Sequence, residues 1–291
     1  MMATLTSNGH AASAAIALAG VRRIGLGCMA LTGIYGHVPS QQARCTISAA
    51  LDAGITMFDT APLYGDGENE KLVGEVVGAR NGTTIVTKFG LATDQAGNLV
   101  RDSSPISIRQ SVERSLRRLR RERIDLLLQH RHDAKIPMHD VAGCIRDLIG
   151  EGKVKAFGLS SVTTERISDW TGSTRIDAVQ NEMSMLTGIR SQELQTSAEL
   201  GIPFIAHSPL GRGLLVGSQG KATDDLRRQM AAFRSCHITR PEHELPNLHE
   251  KERLPTLEPI AAIRWVLDQA SHVVAIPGCK SAAQVREILP E

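Results

Sequence analysis

The feature that most constrains the fold is an alternation of short apolar runs with longer stretches of helical periodicity. Eight runs are predicted to be strands, and they span residues 24–27, 56–59, 84–88, 125–129, 156–159, 178–181, 203–207 and 273–276. Strands that alternate with helices are typical of repeated βα units and a parallel sheet. Because eight parallel strands can close a barrel, the pattern predicts an α/β fold, the (β/α)8 barrel, in one domain.

The helices between these runs are marked by caps and by apolar residues three or four positions apart. The clearest is predicted to begin at Ser104 and Pro105, because serine can accept a free backbone N–H bond and proline suits the first helical position. Its apolar stripe consists of Ile108, Val112, Leu116 and Leu119. A second helix is predicted to end before Gly150, with a stripe of Val141, Ile145, Leu148 and Ile149.

Two segments lie outside this regular pattern. Residues 1–20 are expected to form a mobile N-terminal extension of the domain, which covers residues 1–291. Residues 211–257 carry glycine, serine and three prolines and are expected to form a long irregular loop between the last two strands. Three histidines in that loop, His237, His243 and His249, are six apart, which puts neighbours on opposite sides of a helix and disfavours a metal site.

Charge and cysteine content narrow the class of partner and the compartment. The chain has 33 Lys and Arg against 31 Asp and Glu, a net charge of +2, so neither nucleic acid nor a membrane surface is an expected partner. Its five scattered cysteines contain no C-x-x-C pair, which predicts a reducing, cytoplasmic location. No apolar run approaches the ~18 residues of a membrane span. A small molecule is the expected partner.

Four polar residues fall at or just past the ends of predicted strands: Asp59, Tyr64, Lys88 and His130. Each alone is more often a local hydrogen-bonding group than a catalyst. In a barrel, however, the carboxyl ends of all strands share one face, and active sites of this fold lie on that face. The four side chains are therefore expected to converge.

Together these side chains could donate a proton to a developing alkoxide. A phenol is a poor acid at neutral pH, but an ammonium at Lys88 would lower the pKa of Tyr64. Asp59 would keep the lysine charged, and His130 could orient a carbonyl oxygen. Such a site requires a hydride donor, which a nicotinamide can supply and protein side chains cannot.

Longer sequence motifs surround these residues. They are DTAPLYGDGENEKLVG at 59–74, IVTKFG at 85–90, LLLQHRHD at 126–133, GLGCM at 25–29, EGKVKAFGLSS at 151–161, AVQNE at 178–182, AHSPLGRGLLVG at 206–217 and AIPGCK at 275–280. In these motifs the chain resembles the aldo-keto reductase superfamily of barrel oxidoreductases. The resemblance implies that Tyr64 is the proton donor, that Lys88 and Asp59 lower its pKa, and that His130 orients the carbonyl.

The resemblance also implies a nicotinamide cofactor bound on the barrel itself. It assigns Ser160 and Gln180, with Asn181 nearby, to the carboxamide, and the loop of Ser208, Pro209, Leu210, Gly211, Arg212 and Gly213 to the pyrophosphate. Further cofactor contacts are expected at Gly27, Cys28, Met29, Pro277 and Gly278. Lys280 and Ser281 are available for a 2′-phosphate, so NADPH is favoured over NADH.

Several positions depart from the family pattern. His207 stands where an aromatic residue commonly stacks on the nicotinamide, and an imidazole offers a smaller surface. Met183 replaces a usual tyrosine, and either core packing or an altered pocket wall explains it. At the adenosine end the family usually has an arginine and a Glu-Asn pair, where this chain has Gln284, Glu287 and Ile288.

The resemblance implies an enzyme that reduces an aldehyde or ketone with NADPH. The alternatives are an NADP(H)-binding sensor or accessory subunit with little turnover, and a degenerate member that no longer binds cofactor. Measured turnover distinguishes the enzyme from the sensor or accessory subunit. The carbonyl substrate, the physiological direction and the oligomeric state do not follow from the sequence.

Overall fold

The strands of the computed structural model, which describes residues 23–217 and 256–289, follow the predicted positions closely. In chain order they are β1 (Leu26–Gly27), β2 (Met57–Asp59), β3 (Thr84–Phe89), β4 (Leu91–Thr93), β5 (Leu99–Arg101), β6 (Leu126–Gln129), β7 (Phe157–Ser160), β8 (Ala178–Glu182), β9 (Phe204–His207) and β10 (Val273–Ile276). Eight of them pair in parallel in the order β1-β2-β3-β6-β7-β8-β9-β10.

Backbone hydrogen bonds connect the first and last strands of this sheet. The Gly25 N–H donates to the Ala275 carbonyl at 2.8 Å, and the Ala275 N–H donates to the Arg23 carbonyl at 2.8 Å. The Gly27 N–H donates to the Pro277 carbonyl at 2.9 Å. These bonds close the sheet on itself, and the predicted (β/α)8 barrel is confirmed.

Helices cover the outside of the barrel. Those of the described residues are α1 (Ser40–Asp52), α2 (Glu68–Val77), α3 (Pro105–Leu119), α4 (Met138–Gly150), α5 (Thr164–Thr171), α6 (Ser191–Glu199), α7 (Pro259–Leu267) and α8 (Ala282–Glu287). Within the described part of the chain, none of them is long and apolar enough to cross a membrane.

The helix predicted at Ser104 is α3. The Ser104 hydroxyl accepts the Ser107 N–H at 3.3 Å, and the four predicted stripe residues are buried. In α4 the prediction was partly wrong, because the helix includes Gly150 and Ile149 is 38% exposed. The buried face of α4 includes Ala142 and Cys144 in addition to the other three predicted residues, and it ends at Leu148.

The cap of α3 gives a stability prediction. We expect Ser104→Ala to lower the free energy of unfolding by about 1 kcal/mol, because an N–H of the first turn then loses its acceptor. Urea denaturation measures the loss. Ser111→Ala, inside the same helix, is the matched control and is expected to change stability much less, since alanine is a good helix former. Equal losses in the two variants would show that the cap does not stabilise α3.

Two segments of the described chain differ from the regular βα pattern. Strands β4 and β5 form an antiparallel hairpin after β3 that the strand pattern did not predict. Within the predicted irregular loop, Gly211–Val216 form tight 3₁₀-like turns interrupted by a kink at Arg212 and Gly213. Residues 1–22 and 218–255, which include the three histidines considered for a metal site, lie outside the described residues.

Candidate active site

A cavity of about 610 Å³ opens at the carboxyl ends of the barrel strands. Most of the predicted site residues line it: Gly27, Met29, Asp59, Tyr64, His130, Ser160, Gln180, Asn181, His207, Ser208, Pro209, Leu210, Arg212, Gly213, Gly278, Lys280, Gln284 and Glu287. Lys88, Cys28, Gly211 and Pro277 are not among the lining residues. Lys88 is buried beneath the cavity floor, and Cys28 packs in the core.

The alternation of side chains along the strands explains why the polar residues meet. A cluster of apolar side chains separate from the sheet–helix core includes Met57, Val86, Leu128 and Ile205. Successive side chains of a strand point to opposite faces, so residues two positions further on share the face of these side chains. Those residues are Asp59, Lys88, His130 and His207. Polar side chains thus follow the inward-facing apolar ones at the ends of these four strands.

Lys88 and Asp59 form a buried ion pair at the bottom of the cavity. The distance from Lys88 Nζ to Asp59 Oδ1 is 2.7 Å, and the side chains are 1% and 5% exposed. Lys88 also donates to the Thr60 carbonyl at 3.0 Å. Burial alone would lower the pKa of Lys88, but Asp59 and Tyr64 outweigh it and raise that pKa. The lysine is therefore a fixed ammonium.

Tyr64 lines the cavity beside this ion pair. Lys88 Nζ is 5.2 Å from the centroid of its ring, and the His130 ring meets it edge to face at 6.0 Å. Burial raises the pKa of the Tyr64 phenol above its ordinary value, although Lys88 acts in the opposite direction. Lys88 therefore acts in the predicted direction, but the net shift of the pKa is upward, because loss of hydration outweighs the nearby ammonium.

The two residues predicted to meet the nicotinamide carboxamide from β8 have different partners. Gln180 Nε2 donates to Asp59 Oδ2 at 2.7 Å. Asn181 exchanges two hydrogen bonds with the backbone of Val162, each 2.9 Å long. The Asn181 amide therefore holds the loop after β7 in place, while Gln180 belongs to the group around the ion pair.

The loop after β9, which was predicted to bind the pyrophosphate, is rich in left-handed backbone conformations. Ser208, Gly211, Arg212 and Gly213 all have positive φ, at 54°, 56°, 58° and 91°. Non-glycine residues rarely adopt this conformation, and such residues concentrate at functional sites. Arg212 adds a cation and forms an ion pair of 2.9 Å with Glu182.

The predicted adenosine end is built around the start of α8. Lys280 Nζ donates to the Tyr35 carbonyl at 2.8 Å, and the Lys280 N–H donates to Gln284 Oε1 at 2.7 Å. Ser281 caps the helix by accepting the Gln284 N–H at 3.3 Å. These bonds hold a lysine at the cavity wall.

The residues that depart from the family pattern take distinct positions. His207 lines the cavity, and burial, reinforced by Arg131 and Arg212, holds its pKa well below the ordinary value. It is therefore a neutral imidazole. Met183 is fully buried in the core and is not a lining residue, which favours core packing over an altered pocket wall.

The prediction missed two cations that line the cavity, Arg131 and Arg190. The Arg131 guanidinium donates to the His130 carbonyl at 2.8 Å and to the Ser161 hydroxyl, and burial lowers its pKa. Ser161 has a φ of 54°. The signal for Arg131 and Ser161 was present in the sequence, because each directly follows a residue chosen for the site. No group of three or more His, Cys, Asp or Glu among the described residues is arranged to hold a metal.

Comparison with known proteins gives consistent matches. The model of the Aldo/keto reductase family matches residues 23–290. A probable aldo-keto reductase of Glycine max is 35% identical over 268 residues, which is 89% of this chain and 77% of that protein. An aldo-keto reductase of Strobilurus tenacellus is 34% identical over 287 residues, which is 92% of this chain and 83% of that protein.

Solved structures agree with the sequence matches. A glycerol dehydrogenase of Gluconobacter oxydans superposes with a TM-score of 0.74 at 31% identity, over 92% of this chain and 87% of that chain. The holo form of an aldo-keto reductase of Bacillus halodurans gives a TM-score of 0.70 at 25% identity, over 92% of this chain and 85% of that chain.

Proposed function

The chain belongs to the aldo/keto reductase family, and from this premise we propose that it reduces an aldehyde or ketone with NADPH, with Tyr64 as the proton donor. Family membership makes the protein an oxidoreductase that acts on small carbonyl compounds or alcohols. The observation that carries the finer proposal is the buried Lys88–Asp59 pair directly beneath Tyr64. A buried charge pair is costly to keep and is expected where a reaction needs it.

The cavity residues fit a nicotinamide dinucleotide. The positive-φ turn at Ser208–Gly213 and the Arg212 cation suit a pyrophosphate, because glycines allow a close approach of the backbone and the guanidinium offsets the negative charge. A Cβ atom at Gly27 would lie 2.8 Å from the Ile276 carbonyl, so glycine allows the backbone of β1 to pack closely against the end of β10 at the cavity wall. Gln180 and Ser160 offer polar atoms for the carboxamide, and Lys280 offers a cation for a 2′-phosphate. The cofactor would supply the hydride.

The residues of the chain perform the remaining chemistry. His130 donates a hydrogen bond to the substrate carbonyl oxygen and orients it toward Tyr64. As negative charge develops on that oxygen, the Tyr64 hydroxyl transfers its proton to it. The Lys88 ammonium stabilises the phenolate that remains, and Asp59 keeps the lysine protonated and in place. The alcohol oxidation uses the same groups in reverse.

This assignment predicts opposite pH dependences for the two directions. Reduction needs the protonated phenol, and burial raises the pKa of Tyr64 above its ordinary value. We therefore expect kcat for reduction to stay level through neutral pH and to fall only as the pH rises through that raised pKa. For oxidation, which needs the phenolate, kcat should increase with pH over the same range. Measurements of kcat against pH at saturating substrate test both directions. The assignment would be contradicted if kcat showed the same dependence on pH in the two directions.

Calorimetric titration with NADPH and with NADH tests the cofactor, followed by NADPH oxidation with a panel of carbonyl compounds. We expect tight binding of NADPH, weak binding of NADH and turnover of a carbonyl compound. Binding without turnover of any carbonyl would favour a sensor or accessory subunit. Absence of binding to either cofactor would overturn the proposal.

Lys280 gives the cofactor preference a specific test. We expect Lys280→Ala to weaken NADPH binding about tenfold or more and to leave NADH binding nearly unchanged, because a charge-assisted bond to the 2′-phosphate is lost. Lys71→Ala, an exposed lysine outside the cavity lining, is the control. Equal weakening of both cofactors by Lys280→Ala would mean that this lysine does not select the phosphate.

A further inference from the structure

Gln180 joins two opposite sides of the barrel. It lies on β8 and Asp59 lies on β2, which are the sixth and second strands in the order of the eight-stranded sheet. The bond from Gln180 Nε2 to Asp59 Oδ2 is 2.7 Å long, and the two residues are 2% and 3% exposed. The bond therefore crosses the barrel interior beneath the cavity.

This bond completes the hydrogen bonding of the Asp59 carboxylate. Lys88 donates to Oδ1 and Gln180 donates to Oδ2, so each oxygen has a donor at a place where water has little access. A buried carboxylate oxygen without a donor is costly. An ionised carboxylate only accepts hydrogen bonds, so the amide nitrogen must face Asp59. The amide oxygen of Gln180 is then the atom left for a ligand in the cavity.

We propose that Gln180 is a positioning residue for the proton donor: it fixes Asp59, and through Asp59 it fixes the Lys88 ammonium beside Tyr64. This role is additional to any contact of Gln180 with the nicotinamide, and its catalytic meaning rests on the proposed function of Tyr64. One amide thus connects the cofactor side of the cavity with the Asp59–Lys88 pair.

The influence of Gln180 on the ionisation of Tyr64 can be measured directly, without cofactor. It contains two tyrosines, Tyr35 and Tyr64, so in the Tyr35→Phe variant the phenolate absorbance reports on Tyr64 alone. Tyr35 contacts Lys280 through its backbone carbonyl, which phenylalanine retains. The alkaline titration of this variant, with circular dichroism to confirm folding at each pH, provides the reference midpoint.

Gln180→Met in this background tests the proposal. Methionine has a similar length, adds no charge and removes the donor at Asp59 Oδ2. Asp59 can then turn both oxygens toward Lys88, which draws the ammonium from Tyr64, and we expect the Tyr64 midpoint to rise by roughly 1 pH unit.

The matched control is Ser160→Ala, which alters the other predicted carboxamide contact. Ser160 makes no side-chain hydrogen bond to Asp59 within the described residues, so its variant should weaken NADPH binding and leave the midpoint unchanged. Should Gln180→Met fail to fold, Gln180→Leu removes the same donor without adding charge and is expected to raise the midpoint in the same way.

An unchanged Tyr64 midpoint in the folded Gln180 variants would overturn the inference and would leave Gln180 with a cofactor contact only. The titration uses the cofactor-free protein, so its result does not depend on turnover. A wild-type protein that reduces no carbonyl compound would instead remove the proposed function, whatever the midpoint. The two failures are thus distinguishable.

Discussion

Tyr64→Phe is expected to lose carbonyl reduction by about 10²- to 10⁴-fold in kcat while it retains NADPH binding. The substitution removes one oxygen atom and leaves the ring that meets His130 edge to face. The Lys88–Asp59 pair also stays in place, because its short bond involves neither the ring nor the hydroxyl of Tyr64. Single-turnover measurements with bound NADPH, together with a binding titration, separate the chemical step from cofactor affinity.

Tyr35→Phe is the matched control for this variant. Tyr35 also lines the cavity, so the same atom is removed from the same pocket at a different place. We expect this control to keep kcat within a few-fold of the wild type. Near-normal turnover in Tyr64→Phe would mean that another group donates the proton, and the mechanism would have to be rebuilt around that group.

The convergence of the site residues was predictable because it depends on two regular patterns, the number of strands and their alternation with helices. Strand count and the alternation with helices predict a barrel, and in a barrel the residues at the carboxyl ends of all strands lie on one face. Asp59, Lys88 and His130 are found by this rule without any knowledge of their contacts. Tyr64 lies further on, in the loop after β2; it was chosen because a phenol beside Lys88 could donate a proton, and the resemblance to the family implies the same role.

Individual partners were not predictable, because each depends on distances across the barrel. Gln180 and Asn181 are neighbours in one strand, yet one holds Asp59 and the other holds the Val162 backbone. The net rise in the pKa of Tyr64 depends on how strongly burial competes with Lys88, which sequence spacing does not reveal. Arg131 was missed because only His130 was chosen from the segment that follows β6.

Lys88→Met is expected to lower the free energy of unfolding by about 3–5 kcal/mol and to abolish reduction. Methionine fills much of the space of the lysine side chain, but it leaves Asp59 Oδ1 buried without its donor at 2.7 Å. Lys71→Met is the control for the substitution itself. Lys71 forms an equally short pair of 2.6 Å with Glu68, yet the side chains are 53% and 63% exposed. We expect that variant to lose less than about 1 kcal/mol.

The double variant Lys88→Met with Asp59→Asn separates stability from catalysis. The amide at position 59 carries no charge, so its burial beside methionine is far less costly than that of the carboxylate, and we expect most of the lost stability to return. Reduction should stay absent, because no ammonium remains to stabilise the Tyr64 phenolate. Urea denaturation and single-turnover kinetics measure the two properties on the same samples. If the double variant recovered activity together with stability, the Lys88–Asp59 pair would serve only to maintain the fold. If Lys88→Met lost no more stability than Lys71→Met, Asp59 would have found another hydrogen-bond donor.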